Sequence, residues 1–476
     1  MPESIPKVLT VAAATLGAIV LTYFAYTRPG YFTSQTYMSG VLLLELMIAS
    51  VWMYRKVFLP LVLCGFLLAG VELPYTSMWT MARWGVLGVG ALVGSILVLK
   101  EHRYRFHAFH VFAFFSVLAA MVSAAVSRYV VLSFLKVLSL LLLFLYAATG
   151  ARIAVSGREN RFFAGLLTGF EVFVGIVAAM HFLGREVMGN PNSLGAVMGV
   201  AAVPILFWGV LLPQEAFSRR RRMFFFVVAF YLVFASHARA GLLAATLVCS
   251  LLCLALRRYA MLAQGLAIVL VFSATSAIFQ PEAFSRTLSS LTSSVIYKGK
   301  DPAEGLLGSR KSPWQTSVES IQKHTWFGTG FGTADNGQDT NTPFGKFSGT
   351  GTTTAENGSS YLAITAWVGM VGLLPFVLLL ATLGTKIFQT ILWLFRTHDP
   401  RHAAVPLAMV LLAGLIHVGF EDWLFAPGYY LCVFFWCTAF IFMDQVSLLP
   451  VPENRNPWFL RNSASPQNLP AVAPIP

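Results

Sequence analysis

Charge is what this 476-residue chain has least of. Asp, Glu, Lys and Arg make up 11% of it, where a soluble domain carries roughly 25%. That deficit excludes an ordinary water-soluble fold. It is matched by 57% hydrophobic residues and a mean hydropathy of +0.70. Cysteine is scarce as well. Cys64, Cys249, Cys253, Cys432 and Cys437 all lie in apolar runs, where a thiol behaves as a small hydrophobe. None has the spacing or polar setting of a zinc site or a disulfide framework. No Walker A pattern is present, which removes the usual sign of ATP hydrolysis. Acidic residues number 20 against 33 basic ones, a net charge of +13. The basic residues are spread over short connections, so they report topology and not nucleic-acid binding.

Apolar stretches near the ~20 residues needed to cross a bilayer recur from end to end. They predict helices at about 8–27, 36–54, 57–73, 81–99, 108–126, 130–149, 162–183, 195–212, 223–238, 240–256, 260–277, 370–395, 403–420 and 425–443. Lys7 precedes the first, and no small-residue cleavage site follows it, so it reads as a retained span. The fold class expected is an all-α polytopic membrane protein of about 14 transmembrane helices. One large extracytoplasmic loop is expected between helices 11 and 12.

Orientation follows from Lys and Arg placement. With the N-terminus cytoplasmic, the inner connections carry Arg55/Lys56, Lys100/Arg103/Arg105, Arg152/Arg158/Arg161, Arg219 to Arg222, Arg257/Arg258 and Arg396/Arg401. The opposite short connections carry about one basic residue each: Arg28, Arg128, Arg185 and Arg239. The loop from Gln280 to Gly358 falls outside; long loops translocate despite their charge. Its length, and its Ser, Thr and Gly content, read as a functional lid or binding segment.

Within that loop Ser312 suits an N-cap, Pro313 the first helical position, and Gln315 a capping box. Trp314, Val318 and Ile321 then form one apolar face. Arg310 and Lys311 would stand just before this helix, where free N–H groups and the positive dipole end favour an anion such as phosphate.

Other polar residues have two readings each. Arg239, in the turn Ser236-His237-Ala238-Arg239, is either a snorkelling anchor or the cation of a site. Gly189-Asn190-Pro191-Asn192 reads first as turn and capping chemistry. Gly328-Thr329-Gly330-Phe331-Gly332 looks like a dinucleotide glycine pattern but follows a helix, not a strand, which rules that reading out. Glu45, Lys136 and Glu171 stand inside apolar spans, as functional groups or buried pairs. His417, Glu421 and Asp422 cluster at one turn, but no further ligand is spaced for a metal, and none is expected.

Four segments together resemble the O-antigen ligase and O-antigen polymerase superfamily of bacterial envelope glycan enzymes. They are Gly189-Asn190-Pro191-Asn192; Ser236-His237-Ala238-Arg239-Ala240-Gly241; Gly308-Ser309-Arg310 with Trp314 and Gly328 to Gly332; and Glu356-Asn357-Gly358-Ser359-Ser360-Tyr361-Leu362 followed by Gly369-Met370-Val371-Gly372. The resemblance covers roughly 185–395. It implies a membrane-embedded helical enzyme at the periplasmic face of the inner membrane. The donor implied is a glycan linked to undecaprenyl diphosphate, passed to a glycan or lipid acceptor without metal, nucleotide sugar or other cofactor. It assigns the diphosphate to Arg239 and Arg310, in agreement with the bidentate grip of a guanidinium on phosphate. Lys311, Asn190, Asn192 and Asn357 are further candidates for substrate binding. Related ligases carry a histidine near the loop's end; this chain has none between His324 and His398, and Glu356 is the acidic residue nearest that place. Glu356 would orient or deprotonate the acceptor. Lipid A-core ligation is thereby less favoured than polymerisation.

The expected organisation is N-terminal helices over 1–184, central helices over 185–279, the periplasmic loop over 280–358, C-terminal helices over 359–443 and a cytoplasmic disordered tail over 444–476. The rival class is a transporter or lipid-linked glycan flippase, which would show internal repeats around a central pathway; no convincing repeat is visible.

Overall fold

The computed structural model describes residues 53–70, 76–101, 104, 106–185, 188, 190–213, 215–279, 308–333 and 357–449. The expected spans at 8–27 and 36–54, Glu45, Gly189, Glu356 and the tail after 449 lie outside these residues.

Helices account for most of the described chain, with no strand among the described residues. They run α1 Leu59–Ala69, α2 Thr76–Glu101, α3 Ala108–Ala125, α4 Val130–Val155, α5 Glu159–Phe182, α6 Pro191–Leu211, α7 Ala216–Ala235, α8 Arg239–Ala255, α9 Tyr259–Phe279, α10 Gly308–Lys323, α11 Ser360–Thr397, α12 Ala404–His417 and α13 Tyr430–Val446. Six are long and apolar enough to cross a membrane: α3, α4, α5, α6, α11 and the Arg83–Glu101 part of α2. Large apolar side chains such as Leu92, Phe114, Ile176 and Leu374 point outward, a continuous apolar exterior suited to lipid and not to water. α6 is the opposite case, buried along almost its whole length.

Small residues set the central crossing. A Cβ on Gly199 would meet the Gly241 carbonyl oxygen at 2.5 Å, and one on Gly241 would meet that of Gly195 at 2.4 Å. Only glycine lets α6 and α8 touch backbone to backbone, the usual small-residue device of membrane helices. This contact puts the turn before α6 beside the turn before α8.

The Gly328–Gly332 run proves to be a structural plug. Met370 N donates to Thr325 O at 2.8 Å, Thr329 N to Ala366 O at 3.0 Å and Gly330 N to Trp367 O at 3.1 Å. The segment after α10 thus lies in a break of α11, where Gly369 takes φ 64° and ψ −178°. Side chains of α4 and of the turn before it hold its carbonyls: Ser127 Oγ reaches Thr329 O and Ser133 Oγ reaches Phe331 O, each at 3.0 Å. Lys136 donates to the Gly332 carbonyl. A lysine inside an apolar span is therefore spent on otherwise unmet backbone oxygens.

One expectation is corrected. The helix expected to start at Pro313 begins at Gly308, with Pro313 inside it. Proline removes one backbone bond and crowds the carbonyl four residues back, and a single turn in front of it tolerates that; Arg310 and Lys311 are hence in the first turn and not ahead of it. The span expected over 370–395 is the part of α11 after Gly369, whose non-helical backbone separates it from a further helical stretch starting at Ser360.

Two sets of charged groups elsewhere tie helices together. Glu171 meets Arg221 at 3.0 Å and Arg222 at 3.6 Å, joining α5 to α7. Arg152 clamps Asp444 through Nε and Nη2, both at 2.7 Å, joining α4 to α13.

Candidate functional site

At one end of the bundle the turns before α6 and α8, the start of α10, the start of α11 and the connection between α12 and α13 meet. His237, at φ 53°, makes the sharp reversal before α8. Ser236 closes it, accepting from Ala238 N at 3.3 Å and donating to Val233 O at 2.7 Å. Arg239 is in consequence the first residue of its helix, partly exposed. Arg310 lies in the first turn of α10, and its positive charge reaches Arg239. The two arginines nominated from the sequence thus share one electrostatic field, although 71 positions separate them in the chain.

Glu421 forms an ion pair with Arg310. Its backbone carbonyl accepts from Ser360 N at 2.9 Å and from Ser360 Oγ at 2.8 Å. Asp422 Oδ2 accepts the Asn357 backbone N–H at 3.0 Å. Asn357 Oδ1 in turn accepts from Ser317 Oγ of α10 at 3.1 Å, and Trp314 Nε1 donates to Gly358 O at 3.1 Å. The chain leaving the long loop is therefore fastened both to α10 and to the Glu421–Asp422 turn. His417 is buried nearby within reach of the Arg310 charge, its Nδ1 accepting from Trp423 Nε1 at 2.9 Å. The three residues that looked like metal ligands are thus divided among Trp423, Arg310 and Asn357. Among the described residues no group of three His, Cys, Asp or Glu is set to hold a metal.

The other nominated residues are less central. Asn190 caps α6, its Oδ1 accepting from Asn192 N at 2.8 Å, which is the capping role its sequence context suggests. The same turn reaches the site's edge, since Tyr430 donates to Ser193 O at 3.3 Å and lies 3.0 Å from the Tyr429 hydroxyl. Burial pushes the Tyr429 phenol up; hydrogen bonds with Ser193 and Tyr430 pull it down, and the Glu421 charge adds to the rise. Tyr429 remains a hydroxyl at neutral pH. Lys311 is exposed beside Arg310. Glu356 precedes Asn357 and lies outside the described residues.

Arg83 escaped the sequence reading. It opens the apolar part of α2, donates to Gly428 O at 2.7 Å and lies over Phe66 and Trp84 at 5.4 and 5.3 Å. A cation near the start of the apolar span expected over 81–99 was the available signal.

These features define a class: a multi-pass helical membrane protein with a polar site, rich in arginine and carboxylate, at one end of its bundle. Residues 224–377 match the family described as O-Antigen ligase, and this match supports the O-antigen ligase and polymerase superfamily to which the four sequence segments point. The matched stretch contains Arg239, Arg310, Glu356 and Asn357, and leaves Asn190, Asn192 and the Glu421–Asp422 turn outside it. A comparison with curated proteins found no match.

Proposed function

We propose that this chain is a membrane glycosyltransferase that transfers or polymerises an oligosaccharide carried on undecaprenyl diphosphate, at the periplasmic face of the bacterial inner membrane. The observation that carries the reading is the shared field of Arg239 and Arg310 inside the matched segment. Two like charges held together favour an anion between them, and two guanidinium forks suit a diphosphate. Their work would be greatest as the carbon–oxygen bond breaks and negative charge builds on the departing diphosphate. Lys311 adds charge at the mouth of the site. In this reading Asn357, Asn190 and Asn192 meet the glycan and Glu356 orients the acceptor hydroxyl. The reading calls for no metal or nucleotide sugar.

A transporter would draw on the broken helix α11, since interrupted helices line many transport sites. Here backbone between Thr325 and Gly330 occupies the break, which supports an enzyme over a central pathway.

The test is substitution of each arginine by lysine, which keeps the charge and loses the planar fork. Arg239→Lys and Arg310→Lys should each lower turnover at least tenfold and weaken binding of undecaprenyl diphosphate, while the protein stays monodisperse. Full turnover in both variants would remove these arginines from the diphosphate site.

A further inference from the structure

Arg310 already holds a carboxylate. Its ion pair with Glu421 joins side chains only 11% and 24% exposed, so water screens the pair weakly. A diphosphate that takes the Nη2 side of the same guanidinium competes with that carboxylate, because Nη2 is the atom that holds Glu421. Asp422 is not the group that yields, since its carboxylate anchors the Asn357 backbone. Glu421 can yield. Its backbone is pinned by Ser360, while its carboxylate ends a two-methylene arm that can swing without moving the chain.

The geometry points to Glu421 as the group that takes the acceptor's proton once the donor diphosphate displaces it from Arg310. The inference rests on the glycosyl-transfer reading above and adds to it a proton acceptor outside the matched segment. In the step itself the acceptor oxygen forms a bond to the anomeric carbon as the bond from that carbon to the phosphate oxygen breaks. The electron pair of the broken bond leaves on the diphosphate, held by Arg239 and Arg310. The acceptor's proton passes to Glu421.

The neighbouring groups are worse placed for the task. The Nδ1 lone pair of His417 is used by Trp423, which leaves a neutral ring only an N–H. Tyr429 is kept protonated by burial. Arg239 and Arg310 are cations with no lone pair to offer. Displacement also orders the events, because the carboxylate is released only where a donor is bound.

Glu421→Gln keeps size and hydrogen bonding and removes proton acceptance. The experiment measures single turnovers with lipid-linked oligosaccharide extracted from cells lacking this protein, at saturating donor, and binding of undecaprenyl diphosphate separately. The transfer rate should fall by roughly 10²–10⁴-fold, the range of general bases, while undecaprenyl diphosphate binds as well as before or more tightly, since its competitor is gone. Retained binding also reports an intact fold; Glu421→Asp, with an arm one methylene shorter, should keep part of the rate. A near-normal rate in Glu421→Gln would overturn the inference. So would weakened binding whose rate loss disappears at saturation, because that marks a residue that only positions Arg310. If the wild-type protein transfers nothing, the glycosyl-transfer reading itself fails, a result that no Glu421 variant can imitate.

Discussion

At the scale of single residues, two guanidinium groups held within reach of each other raise the free energy of the protein alone, and an anion between them lowers it. Glu421 offsets part of that cost through its ion pair with Arg310, while Asp422 holds the Asn357 backbone. The two glutamates of this region are therefore given different tasks. Glu356→Gln should keep most of the single-turnover rate, because an amide still accepts a hydrogen bond from the acceptor hydroxyl. A loss of roughly 10²-fold or more in Glu356→Gln would transfer the proton to Glu356. The arginines were legible in the sequence because motif spacing and the phosphate chemistry of the guanidinium agreed on them. The role of Glu421 was not. Its partner stands 111 positions away, and nothing in the local sequence ties the two together.

Secondary-structure elements show a similar division. Apolar runs of span length predicted α2 to α6 near their observed places, since lipid demands both the length and the composition. The span expected from 370 follows the break in α11, whereas the helical stretch from Ser360 up to that break was not expected. What sets the conformation of the break is the backbone crossing it: a Cβ on Gly369 would meet the Trp326 carbonyl carbon at 2.4 Å. Its ψ of −178° at positive φ is open to glycine almost alone. Gly369→Ala should hence cost on the order of 1–3 kcal/mol from backbone strain, with displacement of the Thr325–Thr333 segment besides. The expected outcome is a clearly lowered melting temperature in detergent and reduced activity at permissive temperature. An unchanged melting temperature would mean that the break does not depend on this glycine. Gly85, with open space around it, is the control position and should tolerate alanine.

For the whole molecule, the apolar exterior and the six long apolar helices among the described residues make a multi-pass membrane protein, and the arrangement of basic residues predicts which end faces the cytoplasm. A reporter fused after Ser348 should be active outside the cytoplasm and one fused after Arg222 inside it. Activity of both on one side would put the Arg239–Arg310 site on the wrong face for a periplasmic donor. The ion pairs that join α5 to α7 and α4 to α13 hold parts of the bundle away from that site, so the site can exchange its charges while the frame keeps its own. The central claim, that an arginine pair at one end of this bundle drives glycan transfer from a polyprenyl diphosphate, is tested most directly on the purified wild-type protein in liposomes. Supplied with lipid-linked oligosaccharide extracted from cells lacking the protein and with acceptor glycan from the same cells, it should yield elongated or transferred glycan and free undecaprenyl diphosphate in equal amounts. Neither product should form with Arg310→Lys at comparable rate. Movement of the intact lipid-linked oligosaccharide across the bilayer, with no carrier diphosphate released, would contradict the account.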